Sequence, residues 1–175
     1  MTDAARVVHA SNADLLIVAA GTVASGNLGF LRGNVFVPEI QHSVVFESHI
    51  YNGIYVDKFW KNLGQRFTCS YLQRFLLENR NEFVTRLNPP RPYLLGEFGM
   101  DVAAYDVSST RNDVQYMQCV TDWVRKKQVN FAYWVLVGKY YYRDGGVDSE
   151  KGWGLLQANN KKVRNPNMIE ILKTL

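Results

Sequence analysis

A glutamate at the end of a short apolar segment is the residue of this chain best suited to chemistry. Residues 93–99 read Tyr-Leu-Leu-Gly-Glu-Phe-Gly, so Glu97 lies between Gly96 and Gly99. A carboxylate at the C-terminal end of a strand points into the cleft that the strand mouth lines, and glycines beside it let backbone or a ligand approach closely. Catalytic side chains occupy this position in (β/α) barrels. The alternative is a solvated glutamate before a turn.

Imidazole and aromatic side chains end two other apolar segments. His49 ends segment 44–49 and is followed by Tyr51, and Trp134 lies near the end of segment 129–137. In a parallel barrel these strand ends face the same mouth as the glutamate. A carboxylate, an imidazole, a phenol and an indole together predict a carbohydrate site. The glutamate would attack or stabilise an anomeric carbon, and the indole would give a sugar ring a flat apolar face.

Each of these residues also has a simpler explanation. A single histidine, tyrosine or tryptophan is more often part of a packed core than of a catalytic site. The tyrosine-rich loop that contains Tyr140 can pack against the protein instead of binding sugar. Their joint occurrence at three successive strand ends nevertheless favours one site that includes all of them, with Tyr140 as a further sugar contact.

The elements that would position these residues alternate between helix and strand. Helical patterns are predicted at about 2–10, 69–86, 111–127 and from Pro166 onward, and apolar strands at 15–19, 44–49, 93–99 and 129–137. Continuous apolar strands alternating with amphipathic helices indicate a parallel sheet covered by helices. The strand ends are roughly 30 to 50 residues apart, close to the repeat of a (β/α)8 barrel, which needs eight strands. The sequence therefore predicts an α/β fold of the TIM-barrel type that amounts to half a barrel.

Composition limits the class of protein. The 175 residues are 47% apolar and 21% charged, which is typical of one soluble globular domain. The net charge is +4, and the basic residues form neither a stripe nor a nucleic-acid-binding motif. No apolar run approaches the ~18 residues that cross a membrane, and residues 1–10 lack a signal-peptide pattern. We therefore expect neither nucleic acid nor membrane as a partner.

The two cysteines, Cys69 and Cys119, do not have the spacing of a metal site. Each falls within a predicted helix among apolar neighbours, so buried free thiols are expected. A disulfide between them is the alternative in a secreted protein.

Taken together, these residues resemble glycoside hydrolase family 5, the cellulase-like retaining glycosidases, over nearly the whole chain. The Gly-Glu-Phe-Gly element and the His-x-Tyr motif, in this order and spacing, are the specific part of the resemblance. The matching segments are residues 4–9 and 12–21 (the family's fourth helix and fifth strand), 44–51 (sixth strand), 92–99 (seventh strand), 131–134 (eighth strand), and 153–156 with 163–166 (C-terminal end).

The resemblance implies that residues 1–175 are the C-terminal half of a catalytic barrel, about its last four βα units. It implies retaining hydrolysis of O-glycosidic bonds in β-linked glycans, with Glu97 as nucleophile and with His49 and Tyr51 orienting it. Trp134 and Tyr140 would bind the substrate. The resemblance implies neither a metal nor an organic cofactor. It implies an extracellular location, because such enzymes are commonly secreted.

The family's second catalytic carboxylate has no counterpart in the matching segments. In the family, the general acid/base is the glutamate of an Asn-Glu pair at the end of the fourth strand, and the resemblance begins just after that strand. Glu47 is the nearest substitute, but two residues along a strand place it ~6.6 Å deeper than His49. We therefore expect Glu47 to support the site, and Asp101 and Asp106 to be solvated.

Three hypotheses of function remain open. The chain is a fragment of a retaining hydrolase that is inactive alone, a carbohydrate-binding remnant without turnover, or a half-barrel interaction module. Four strands cannot close a barrel, so self-association through exposed strand edges is expected. Ile17, Val45 and Leu95 are predicted to face the barrel interior and to lack partners there.

Overall fold

A parallel four-stranded sheet organises the chain. The computed structural model describes residues 1–52, 68–106, 111–138, 142–143, 145–147 and 152–175. The strands are β1 (Ile17–Ala20), β2 (Val44–Ile50), β3 (Tyr93–Phe98) and β4 (Asn130–Tyr133). They pair in the order β1-β2-β3-β4, all parallel, so the predicted sheet with its strands in chain order is confirmed.

Helical segments connect the strands. The α-helices are α1 (Thr2–Ser11), α2 (Cys69–Tyr71), which continues as a π-helix (Leu72–Asn79), α3 (Asn112–Lys127) and α4 (Pro166–Leu172). Short 3₁₀ helices are Gly29–Leu31, Pro38–Ser43, Glu82–Arg86 and Val102–Ala104, and a small hairpin pairs β5 (Tyr142–Arg143) with β6 (Gly146–Val147). None of the described helices is long and apolar enough to cross a membrane.

The predicted helix over 69–86 is interrupted at Asn81, which is 1% exposed. Its side-chain amide donates to the carbonyl oxygens of Gly26 and Leu76, and its Oδ1 accepts from the N–H of Leu28. These bonds satisfy buried backbone groups of two segments at once. The helix therefore ends where Asn81 joins it to the loop after β1.

The helix-facing side of the sheet carries the core. On β2 the even-numbered residues Val44, Phe46, Ser48 and Ile50 are all at most 3% exposed. The side chain of Trp123 on α3 meets this side through an edge contact with the ring of Tyr93 on β3, at 6.5 Å between centroids. The Tyr116 hydroxyl, also on α3, donates to the carbonyl oxygen of Ile50 at 2.6 Å. Helix α3 thus contacts the last residue of β2 and the first residue of β3 on the helix-facing side of the sheet.

Two of the three residues predicted to face the barrel interior lie on this helix side instead. Ile17 pairs with Val44 and packs against the core, and Leu95 is fully buried opposite Ser48. The prediction for Ile17 and Leu95 is therefore wrong. Val45 alternates with its core-facing neighbours and shares the other face with Glu47, as predicted.

A disulfide joins Cys69 to Cys119, with 5.2 Å between the Cα atoms, so the expectation of free thiols is wrong. Cys69 is exposed at the start of α2, whereas Cys119 is buried in α3. The packing of α2 against α3 brings together two cysteines 50 residues apart in the chain.

Replacing both cysteines by serine should lower the free energy of unfolding by about 2–4 kcal/mol, because the bond restricts the unfolded chain. Urea denaturation of the variant, compared with oxidised and reduced wild-type protein, measures the effect. The reduced wild-type protein should match the double variant. Equal stability of all three samples would contradict this expectation.

Candidate active site

The C-terminal ends of β2 and β3 bring three predicted residues together. The Tyr51 hydroxyl donates to Oε2 of Glu97 at 2.9 Å, and Nδ1 of His49 lies 3.3 Å from the same oxygen. His49 and Glu97 are direct partners across the two strands. The side chain of Glu97 is 31% exposed, so its carboxylate is accessible from the strand mouth.

A bulge in β3 decides the direction of Glu97. Ser48 pairs with Leu95 and His49 pairs with Glu97, so Gly96 is one extra residue in β3. In a regular strand, residues 95 and 97 would share the helix-facing side, but in the bulge Gly96 and Glu97 together lie opposite His49. The extra residue turns Glu97 to the face that carries His49. Counting back by two from Glu97 therefore assigns Leu95 to the wrong face, which explains that incorrect prediction.

Glu47 lies beneath His49 on the same face. Its Oε1 is 3.1 Å from Nε2 of His49, and its side chain is 10% exposed. Burial raises the pKa of the Glu47 carboxyl above its ordinary value; the charge of Glu97 also raises it, while His49 lowers it. The folded chain therefore holds this proton more tightly than the unfolded chain. In consequence the stability contributed by this group falls as the pH rises between the ordinary and the raised pKa.

Gly96 leaves the space that the Glu47 carboxylate occupies. A Cβ atom at position 96 would collide with Oε2 of Glu47, although it would be 3.6 Å from Cδ2 of His49, an ordinary contact. The Gly-Glu element of β3 therefore does more than carry Glu97, because its glycine admits a second carboxylate under the histidine.

Trp134 follows β4 directly and is half-buried. Its N–H donates to the carbonyl oxygen of Phe98, and its own carbonyl oxygen lies where a side chain at Gly99 would be. The predicted strand 129–137 ends at Tyr133 because the next residues pair with another segment: the N–H groups of Leu155 and Leu156 bond to the carbonyls of 135 and 136. The backbone of Trp134 thus lies beside the end of β3, and stacking of a sugar on its indole remains a prediction.

Trp153 is a site residue that sequence reasoning did not assign to the site. Its indole makes an edge contact with the ring of Tyr51, at 5.5 Å between centroids, and passes close to Gly99. Gly99 gives no signal for it, since the atom that excludes a side chain there is the carbonyl oxygen of Trp134, and Trp153 would make only an ordinary contact. Trp153 supports the ring whose hydroxyl donates to Glu97. Tyr140 lies outside the described residues, so its predicted sugar contact stays a prediction.

The chain contains one Asn-Glu dipeptide, Asn81-Glu82, and it is not at the site. Asn81 bonds to backbone groups, and the Glu82 carboxylate pairs with Arg86 and accepts from the Thr85 hydroxyl at 3.1 Å. This pair begins a 3₁₀ helix and has a structural role. Within the described ranges, no group of three or more His, Cys, Asp or Glu side chains is arranged to hold a metal ion.

Comparison with known proteins agrees with this geometry. A glycosyl hydrolase 5 family protein from Chamaecyparis obtusa is 25% identical over 176 residues, covering 98% of this chain and 30% of that protein. No protein-family model matches the chain.

Similar solved structures are larger than this chain. The hyperthermophilic endocellulase from Pyrococcus horikoshii superposes with a TM-score of 0.74 at 17% identity, over 98% of this chain and 46% of that one. A cellotetraose complex of a variant of that enzyme gives 0.71 at 15%, over 96% and 46%. A β-glucanase from Saccharophagus degradans gives 0.64 at 10%, over 99% and 45%.

The chain thus spans 30% of the curated relative's length and just under half of the solved structures. The predicted resemblance to the C-terminal half of glycoside hydrolase family 5 is confirmed, and so is a fold corresponding to half of a (β/α)8 barrel.

Proposed function

We propose that this chain, similar to the C-terminal half of family 5 glycoside hydrolases, carries the nucleophile of a retaining hydrolase of β-linked glycans. The observation that supports the proposal is the placement of Tyr51 and His49 on one oxygen of Glu97, Oε2. Two contacts on one oxygen fix the orientation of the carboxylate. Both contacts fall on Oε2, so Oε1 is the oxygen that can approach an anomeric carbon.

The chemistry follows from this arrangement. Oε1 of Glu97 attacks the anomeric carbon while the bond from that carbon to the leaving oxygen breaks, and a general acid gives the leaving oxygen a proton. A glycosyl ester of Glu97 forms, and water attacks the same carbon with the acid now acting as base. Trp134 offers the sugar ring an apolar face, and residues 1–175 act as one half of the catalytic barrel.

The general acid is a separate assignment. A retaining enzyme needs a second carboxyl ~5–5.5 Å from the nucleophile. Glu47 does not suit this role, because its side chain is 10% exposed and its Oε1 is engaged with His49. We assign the acid to a residue outside residues 1–175, by analogy with the Asn-Glu pair of the family. The chain alone should then be inactive on glycosides whose leaving group must be protonated, since general acid catalysis accelerates such reactions roughly 10²–10⁴-fold.

A covalent trapping experiment tests the nucleophile without needing the acid. A 2,4-dinitrophenyl 2-deoxy-2-fluoro-β-cellobioside has a leaving group that departs without protonation, and its fluorine slows hydrolysis of the glycosyl ester. We expect intact-mass analysis to show one added disaccharide and peptide mapping to place it on Glu97. Reversible binding of cello-oligosaccharide without any adduct would instead favour a carbohydrate-binding remnant. An adduct elsewhere would contradict the assignment.

A β-glucan is the proposed substrate class. The similar archaeal endocellulase has been crystallised with cellotetraose, and another similar structure is a β-glucanase. The Cys69–Cys119 disulfide supports an oxidising, extracellular location.

Tyr51→Phe should slow formation of the adduct about 10- to 100-fold, because it removes a hydrogen bond to a charged acceptor, worth ~1.5–3 kcal/mol. Burst kinetics of dinitrophenolate release measure this rate. Tyr71→Phe is the matched control, since Tyr71 stacks on Phe75 in the helical region of α2. Equal rates for the two variants would show that the Tyr51 hydroxyl does not act on Glu97.

A further inference from the structure

A buried carboxylate holds the side of His49 that faces away from the nucleophile. Glu47 contacts Nε2 at 3.1 Å, while Nδ1 of the same ring lies 3.3 Å from Oε2 of Glu97. The imidazole therefore bridges two carboxylates, one 10% and one 31% exposed. Glu97 is the nucleophile of the proposed reaction, whereas Glu47 takes no direct part in it.

We propose that Glu47 is a positioning residue, whose carboxyl group fixes the His49 ring so that an Nδ1–H is directed at the nucleophile Glu97. This inference rests on the proposed function for the part that concerns Glu97. It assigns Glu47 a role in the reaction although Glu47 touches neither the reacting carbon nor the leaving group.

The hydrogen-bonding capacity of Glu47, His49 and Glu97 determines which ring nitrogen carries a proton. If Glu47 is ionised, it can only accept, so Nε2 must carry a proton. On the other side of the ring, an ionised Glu97 also only accepts, so the favourable contact there is an Nδ1–H directed at its Oε2. If Glu47 is protonated, it donates to Nε2, and the ring proton resides on Nδ1. In both cases Nδ1–H faces Glu97.

The space for Glu47 is supplied by Gly96, the extra residue of the β3 bulge. A Cβ there would collide with the Glu47 carboxylate, the mobile end of a side chain, and would contact no backbone atom within 3.6 Å of it. Gly96→Ala should therefore displace the carboxylate while keeping its charge and the course of the strand. This gives a second, independent way to remove Glu47 from His49.

Nitrogen-15 NMR of the ring nitrogens tests the proposal, and the chain has three histidines, so the spectrum is simple. We expect an Nδ1–H on His49 in the wild-type chain. In Glu47→Met the ring is no longer held and can turn away from Glu97, so the Nδ1–H signal should weaken and adduct formation should slow about 10-fold or more. Glu47→Gln should restore part of the rate, because its amide still bonds to Nε2. Gly96→Ala should behave like Glu47→Met. The control is Glu82→Gln, which alters a carboxylate of the same 8% residue exposure that is bound to Arg86.

An unchanged ring proton or an unchanged rate of adduct formation in Glu47→Met would overturn the proposal. If Glu47→Met fails to fold, Gly96→Ala decides the question by the same two measurements. Absence of an adduct in the wild-type chain would overturn only the proposed function, since the nitrogen shifts report the hold of Glu47 on His49 without any glycan.

Discussion

Replacing Glu97 by alanine should reduce release of dinitrophenolate from an activated β-cellobioside by about 10⁴-fold or more, because the variant lacks the group that attacks the anomeric carbon. Azide should restore part of the release in this variant. The anion fits the space left by the carboxylate and attacks from the same face. The product should then be an α-glycosyl azide, which proton NMR identifies by the coupling at the anomeric position.

The stereochemistry makes this test specific. A β-glycosyl azide, or azide acceleration of the wild-type chain to the same extent, would show that attack does not occur from the position of Glu97. Glu82→Gln is the control, since it alters a buried carboxylate whose partners are Thr85 and Arg86, and it should leave release unchanged. His49→Ala should fall between the control and Glu97→Ala, because His49 orients the nucleophile and does not replace it.

The sheet and its order could be predicted from the sequence, but the faces on which Ile17 and Leu95 lie could not. Periodicity assigns strands where apolar residues run continuously, and this was sufficient for four parallel strands in chain order. The bulge at Gly96 inserts one residue without changing that pattern. A one-residue shift moves side chains to the opposite face. Glu97 was expected at the mouth because of its position at a strand end, whereas the assignment of Leu95 depended on uninterrupted alternation and failed.

Contacts between distant segments were the other limit. The edge contact of Trp153 with Tyr51 joins residues 102 positions apart, and no local pattern indicates it. The disulfide likewise depends on the packing of α2 against α3, since each cysteine alone reads as a buried thiol among apolar neighbours. Asn81-Glu82 shows the converse, because the dipeptide that forms the family's acid motif is used here to end a helix. The chemistry of a short motif depends on the element that carries it.

The 175-residue chain purified alone should self-associate through the β1 edge of its sheet. Among the described strands, β1 pairs only with β2, so its other edge has no described strand beside it. Val18 on β1 is 54% exposed and Leu16, just before it, is 68% exposed. Both project from the side opposite Ile17, which packs on the core. An apolar strand edge of this kind pairs readily with another chain.

Val18→Lys should weaken this association. Burial of a valine side chain is worth ~1.5 kcal/mol, and a symmetric dimer loses it twice, so the dissociation constant should rise roughly 100-fold. Light scattering coupled to size-exclusion chromatography over a range of concentrations measures the change. Val35→Lys is the control, because Val35 is 60% exposed but lies outside the strands. A wild-type chain that stays monomeric at high concentration would contradict the prediction, as would equal effects of the two lysines, because association would then not depend on the β1 edge.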